Sequence, residues 1–255
     1  MEMQFCYAKA PRVRFLPIFL SLSAYAWGAE TYIPCEERGS PTFQAQLQMR
    51  AKIVRARWRN FRNTIPREKF TNIRPFINNE GVALSDAHLA DYEGKTVLLK
   101  ELRRSVAARE AAYYRALWEE GLSLAPFVGI TRSPRSYFAL TLVTEYIPNT
   151  ILCQVLLFGN FPPDVTAQIR KSHNFQYSTE VALGIRATVQ KLSQLGIYAG
   201  DLQFLISAQG EVFLIDLEGF EHFLKPPEKL ATWNTQMGEE LVQMYERAFE
   251  SEDPN

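Results

Sequence analysis

Between Leu195 and Gly219 the chain runs Leu-Gly-Ile-Tyr-Ala-Gly-Asp-Leu-Gln-Phe-Leu-Ile-Ser-Ala-Gln-Gly-Glu-Val-Phe-Leu-Ile-Asp-Leu-Glu-Gly. Helix end, Gly-Asp loop, strand, turn, strand and a second acidic loop follow one another. Phe204 to Ser207 and Glu211 to Ile215 are apolar, β-prone runs, and Ala208-Gln-Gly210 between them is a turn, so the segment predicts a hairpin. That hairpin separates two aspartates, Asp201 and Asp216. Asp216 comes directly after Val212-Phe-Leu-Ile215, at a strand end, where ligands collect in folds that mix helices and strands.

The upstream half extends the pattern. Thr96-Val-Leu-Leu-Lys100 is a β-branched and apolar strand closed by a lysine, after the turn Glu93-Gly94-Lys95. Ser105 to Glu119 is rich in Ala, Arg, Glu and Leu and predicts a helix. Within it Glu110, Tyr113, Tyr114 and Leu117 form an i, i+3, i+4, i+7 stripe that carries Glu110 toward Lys100. Phe138 to Ile147 predicts another strand, ending in Glu145-Tyr146 before Pro148. Lysine strand, helical glutamate, acidic-aromatic strand end, Gly-Asp loop and Asp-Leu-Glu loop stand in an order that resembles the protein-kinase-like superfamily, over roughly Phe76 to Phe220. The Gln203-Phe204 pair is similar to the divergent secretory-pathway kinases, the group that includes the vertebrate lonesome kinase.

The resemblance implies an α+β, two-lobed protein-kinase-like fold with a reduced C-terminal lobe. Only 35 residues (255 − 220) follow Phe220, with one expected helix from Trp233 to Phe249. It implies ATP and Mg²⁺ or Mn²⁺ as cofactors. Lys100 would bind the α- and β-phosphates, held by Glu110; Glu119 or Glu120 could substitute, because Glu110 follows Lys100 by only ten residues (110 − 100). Glu145 and Tyr146 would receive the adenine, and Gly81 in Asn78-Asn79-Glu80-Gly81-Val82 would be the one glycine of the phosphate loop. Asp201 would orient the acceptor hydroxyl, and Asp216, with Gln203, would hold the metal. The pattern His-Arg-Asp-Leu-x-x-x-Asn puts a metal-binding asparagine five residues after the aspartate, but five after Asp201 is Ile206. Either the loop is three residues shorter than usual and Asp201 keeps its place, or Gln203 takes the asparagine position and Tyr198 (203 − 5) the aspartate position. The implied activity is transfer of the ATP γ-phosphoryl group to a hydroxyl of a secreted or luminal protein. The alternatives are a pseudokinase that binds or scaffolds without turnover, and a small-molecule kinase of the sugar or aminoglycoside type.

The N-terminus bears on compartment. Lys9, Arg12 and Arg14 precede an apolar stretch from Phe15 to Gly28, too short for a comfortable membrane span, with Ala24-Tyr-Ala26 as a small-x-small site. This predicts a signal peptide over residues 1–26 and a secreted or luminal chain, in which Cys35 and Cys153 would be able to pair. Residues 27–69 would form an N-terminal extension and 70–255 the kinase-like domain. With 28 Lys and Arg against 28 Asp and Glu, bulk attraction to nucleic acid is not expected. Within the extension, Arg50 to Arg62 predicts a basic amphipathic helix, with Lys52, Arg55, Arg59 and Arg62 at helical spacing and Val54, Trp58 and Phe61 offset from them. Its apolar face would dock on the domain, leaving the arginines to solvent or to an anionic partner such as a membrane surface or a sulfated glycan. His88, His173 and His222 have no metal-ligand spacing, so a zinc site is not expected.

Overall fold

A computed structural model describes residues 39–77, 83–153, 175–224 and 228–250. Gly81, Cys35, His173 and the expected signal peptide lie outside these described residues. The protein is α+β. Among the described residues four helices, α1 (Pro41–Arg62), α2 (Arg104–Trp118), α3 (Thr179–Gln194) and α4 (Glu228–Glu250), accompany ten strands. Five of these, β1 (Thr71–Ile77), β2 (Ala83–Tyr92), β3 (Lys95–Arg103), β4 (Phe127–Arg132) and β5 (Ala139–Glu145), form an antiparallel sheet in the order β1-β2-β3-β5-β4. The others are β6 (Thr150–Leu152), β7 (Ile197–Ala199), β8 (Gln203–Ser207), β9 (Val212–Ile215) and β10 (Phe220–His222). They make a three-stranded sheet, β6-β8-β9, and a β7-β10 pair.

The two faces of the large sheet have different fates, and alternation along β3 decides which residue meets which. Val97 and Leu99 join Phe70, Ala90 and Val143 in a small apolar cluster on one face. Leu98, Lys100 and Leu102 therefore point to the other face, where Leu102 packs on the main core. The cross-strand partners of Lys100 are Ala87 and Leu142, both buried. A lysine has been set on the side of the sheet that looks into the protein, and a cation there requires compensating charge.

The expected hairpin forms as β8 and β9, with Gln203 opposite Ile215. Because an antiparallel hairpin returns the chain to its starting end, Asp201 just before β8 and Asp216 just after β9 lie at the same, open end. The turn at that hairpin needs Gly210, which has φ +83° and leaves no room for a side chain, since a Cβ would stand 2.7 Å from the Ser178 hydroxyl.

The N-terminal extension folds onto the rest of the chain. Helix α1 packs along α2, burying Gln46, Met49, Ala56 and Asn60, and Asn60 accepts a 2.8 Å hydrogen bond from Arg115. Lys52 pairs with Glu120 at 2.5 Å and Arg59 with Glu119 at 3.4 Å. Past the helix, the Ile65 N–H donates to the Ile130 carbonyl in β4. The docked stripe is not the expected one. Val54, Trp58 and Phe61 face outward, and the docked side of the helix carries Met49 and the partly buried Ile53 together with Gln46, Ala56 and Asn60, toward an α2 surface rich in alanine.

Candidate functional site

Three of the expected residues meet where β3, α2 and the end of β9 converge. The Lys100 Nζ donates to the Asp216 carboxylate at 2.7 Å and stands 3.9 Å from the Glu110 carboxylate. Glu110 is fully buried, and its Oε1 also accepts from the Leu217 N–H at 3.2 Å, so one carboxylate ties the helix to the acidic loop. The stripe read from the sequence is the buried face of α2: Glu110, Tyr113, Tyr114 and Leu117 are all enclosed. Glu119 and Glu120 do not replace Glu110, being engaged by Arg59, Lys52 and Lys191 on the far side.

Electrostatics follow from this burial. Loss of solvent pushes the Glu110 carboxyl up to about 7; Lys100 opposes the rise and the Asp216 charge adds to it. For Lys100 burial acts downward but is outweighed by Glu110 and Asp216, so the ammonium is held charged more firmly than a free lysine. Asp216 has φ +52°, in the left-handed region, uncommon outside glycine, although aspartate tolerates it better than most residues. Two groups that the sequence pattern did not single out as site residues hold this conformation. Tyr114 hydrogen-bonds the Asp216 backbone, and Arg109 donates to the Glu218 carbonyl at 2.6 Å. Their signal was present only as polar residues on the same helix as Glu110, one of them one position before it and the other four positions after it.

The Gly-Asp loop is short: only residues 200–202 separate β7 from β8. Asp201 and Gln203 consequently sit together, the Gln203 amide donating to Asp201 at 2.5 Å. The loop also touches the acidic segment, because the Gly200 N–H donates to the Gly219 carbonyl at 3.0 Å. Its base is fixed from α4, where buried Asn234 accepts from the Ala199 N–H at 3.0 Å and donates to the Ile197 carbonyl at 2.7 Å. Tyr198, the alternative aspartate position, lies within β7 against the Trp233 ring.

Glu145 ends β5 and Tyr146 follows it. Their backbone N–H groups donate to the carbonyls of Pro126 and Thr96 and the Glu145 carboxylate pairs with Lys95, while the Tyr146 ring meets Phe76 edge-on at 6.3 Å. Glu218 is exposed. Cys153 is a free, buried thiol, pushed up to about 12 by burial. Among the described residues no three histidine, cysteine or carboxylate side chains gather as a metal cluster. The Asp216 carboxylate and the Gln203 amide oxygen are the hard oxygen donors that would suit a cation such as Mg²⁺ or Mn²⁺. No protein-family model matches the chain, and no curated protein matches it either.

Proposed function

We propose that this chain is a protein-kinase-like phosphotransferase of the secretory pathway, a two-lobed fold that passes the γ-phosphoryl group of ATP to a protein hydroxyl. The observation that carries the reading is the Lys100 ammonium set between Asp216 at 2.7 Å and Glu110 at 3.9 Å, on the inward face of an antiparallel sheet. An inward lysine and an acidic loop, joined through one buried glutamate, make a site for a polyanion that arrives with its own cation. Lys100 would exchange Asp216 for a phosphate oxygen, and Asp216 and Gln203 would then hold Mg²⁺ or Mn²⁺, which neutralises phosphate charge when bound. Asp201, exposed at the loop tip, would accept a hydrogen bond from the acceptor hydroxyl, with Gln203 fixing its rotamer.

Leu98 shares the inward face with Lys100 and, with Leu89 opposite it, would supply apolar surface beside the phosphate site suited to a base. The adenine edge would be read after Tyr146, since the N–H groups of Glu145 and Tyr146 are already used in the sheet. The test is thermal unfolding with ATP in the presence and absence of Mg²⁺ or Mn²⁺. A ligand that binds only the folded state raises stability by RT ln(1 + [L]/Kd), so a metal-dependent rise that disappears in Lys100→Ala supports the reading. No rise at millimolar ATP with either ion would refute it.

A further inference from the structure

The outward face of α1 is the part of the molecule that phosphotransfer does not explain. At ~100° per residue, Leu47, Val54, Trp58 and Phe61 fall in one stripe along the helix, about 21 Å long. All four are exposed, Trp58 by 62%. Arginines flank the stripe on both sides, Arg55 and Arg62 along one edge and Arg57 along the other, and α1 contains no acidic residue. The carboxylates that neutralise the helix, Glu119 and Glu120, sit on its docked side.

At its C-terminal end the stripe opens into a groove of about 560 Å³ between α1 and the start of α2, lined by Arg57, Phe61, Arg103, Arg104 and Phe138. Arg104 lies over both the Phe61 and Tyr137 rings, which joins the helix stripe to two further aromatic side chains, Tyr137 and Phe138, exposed by 83% and 80%. Among the described residues no carboxylate pairs with Arg57, Arg103 or Arg104.

We infer that this face docks on an anionic phospholipid bilayer, the arginines of the groove taking headgroup phosphates while Leu47, Val54, Trp58 and Phe61 enter the interfacial layer. Aliphatic and aromatic side chains along one side of a helix, bordered by arginine, suit the boundary between headgroups and acyl chains. A sulfated glycan or an uninterrupted run of acidic residues would satisfy the arginines but offer no apolar surface to Leu47 and Val54. The inference is independent of the phosphotransfer reading.

The test is co-sedimentation of the full chain with phosphatidylcholine vesicles, alone or with about 30 mol% phosphatidylserine. Anionic vesicles should bind at least about tenfold more tightly, and Arg57→Glu/Arg103→Glu should remove about tenfold or more of that gain. Trp58→Ser should weaken binding as well. Lys69→Glu/Arg247→Glu, the same charge change on other exposed surfaces, should not. Equal binding to both vesicle types, or an equal loss in the control pair, overturns the inference. So does displacement by inorganic phosphate at matched ionic strength, which would make the groove a site for free phosphate. Loss in the arginine pair with Trp58→Ser unaffected and polyglutamate competing would assign the face to an acidic polypeptide instead.

Discussion

Glu110, fully buried, and His222, half-buried with both ring nitrogens shielded from water, are titratable groups whose linkage to folding runs in opposite directions. Glu110 has a folded value of about 7 against an ordinary 4.5, so the folded state binds its proton more tightly; the stability this contributes is complete below about 4.5 and is lost as pH rises through about 7. Glu110→Gln keeps an oxygen for the Leu217 N–H and removes the charge. Between pH 5 and pH 8 the wild type should therefore lose on the order of 2–3 kcal/mol relative to this variant, measured by urea unfolding. His222 is lowered to about 4, mainly by burial; backbone groups of Gln46 and Leu195 beside the ring oppose that and Arg50 adds to it. Its contribution is present above the ordinary 6.5 and disappears as pH falls through about 4. His222→Gln should flatten the acid limb of the stability profile by a comparable amount, and an unchanged limb would mean that the ring titrates normally.

At the scale of elements, Asn234 shows how α4 governs a loop that it never enters. Its amide is the hydrogen-bond partner of the Ala199 N–H and the Ile197 carbonyl. Asn234→Leu would strand both groups in the core, each costing about 1–3 kcal/mol, and should lower the midpoint of thermal unfolding while raising hydrogen exchange in β7. Unchanged exchange at Ala199 would refute the positioning role. This residue was not legible in the sequence, because 35 and 37 positions separate it from Ala199 and Ile197 and an asparagine in a helix carries no local mark of what it caps. By contrast, the β8-β9 hairpin, the lysine strand and the α2 stripe were legible, since period-two and period-3.6 patterns with turn residues determine them locally. The docked face of α1 was misread for a related reason. The helical periodicity was correct, but α1 carries a second apolar stripe, Met49 with the partly buried Ile53 and Ala56, and it is this one that docks on the core, which sequence spacing alone does not distinguish from Val54, Trp58 and Phe61.

At the scale of the whole molecule, the open question is how residues from the large sheet, α2 and the hairpin act together on one ligand. The sequence left two registers for the Gly-Asp loop, which differ in where the acceptor-orienting residue sits. The short 200–202 connection puts Asp201 and Gln203 side by side, so the two positions are not exclusive. If the proposed function holds, the three residues at the hairpin's open end should separate by role. Asp201→Ala should abolish phosphoryl transfer while leaving Mg·ATP affinity nearly unchanged, since this residue would touch the acceptor hydroxyl and neither phosphate nor metal. Asp216→Ala should lose the metal-dependent part of nucleotide binding and free Lys100 from its 2.7 Å partner, so that metal-free ATP binds as well as or better than in the wild type. Gln203→Ala should reduce metal-dependent affinity by a smaller factor, because a neutral amide oxygen contributes less to a hard cation than a carboxylate. Transfer and Mg·ATP affinity, measured on the same three variants, test the division of labour. Tyr198 does not enter it: its ring lies in β7 against Trp233, and a phenol is a poorer acceptor-orienting group than the Asp201 carboxylate. Equal and negligible effects in all three variants would mean that the hairpin's open end is not an active site, whatever the nucleotide does elsewhere.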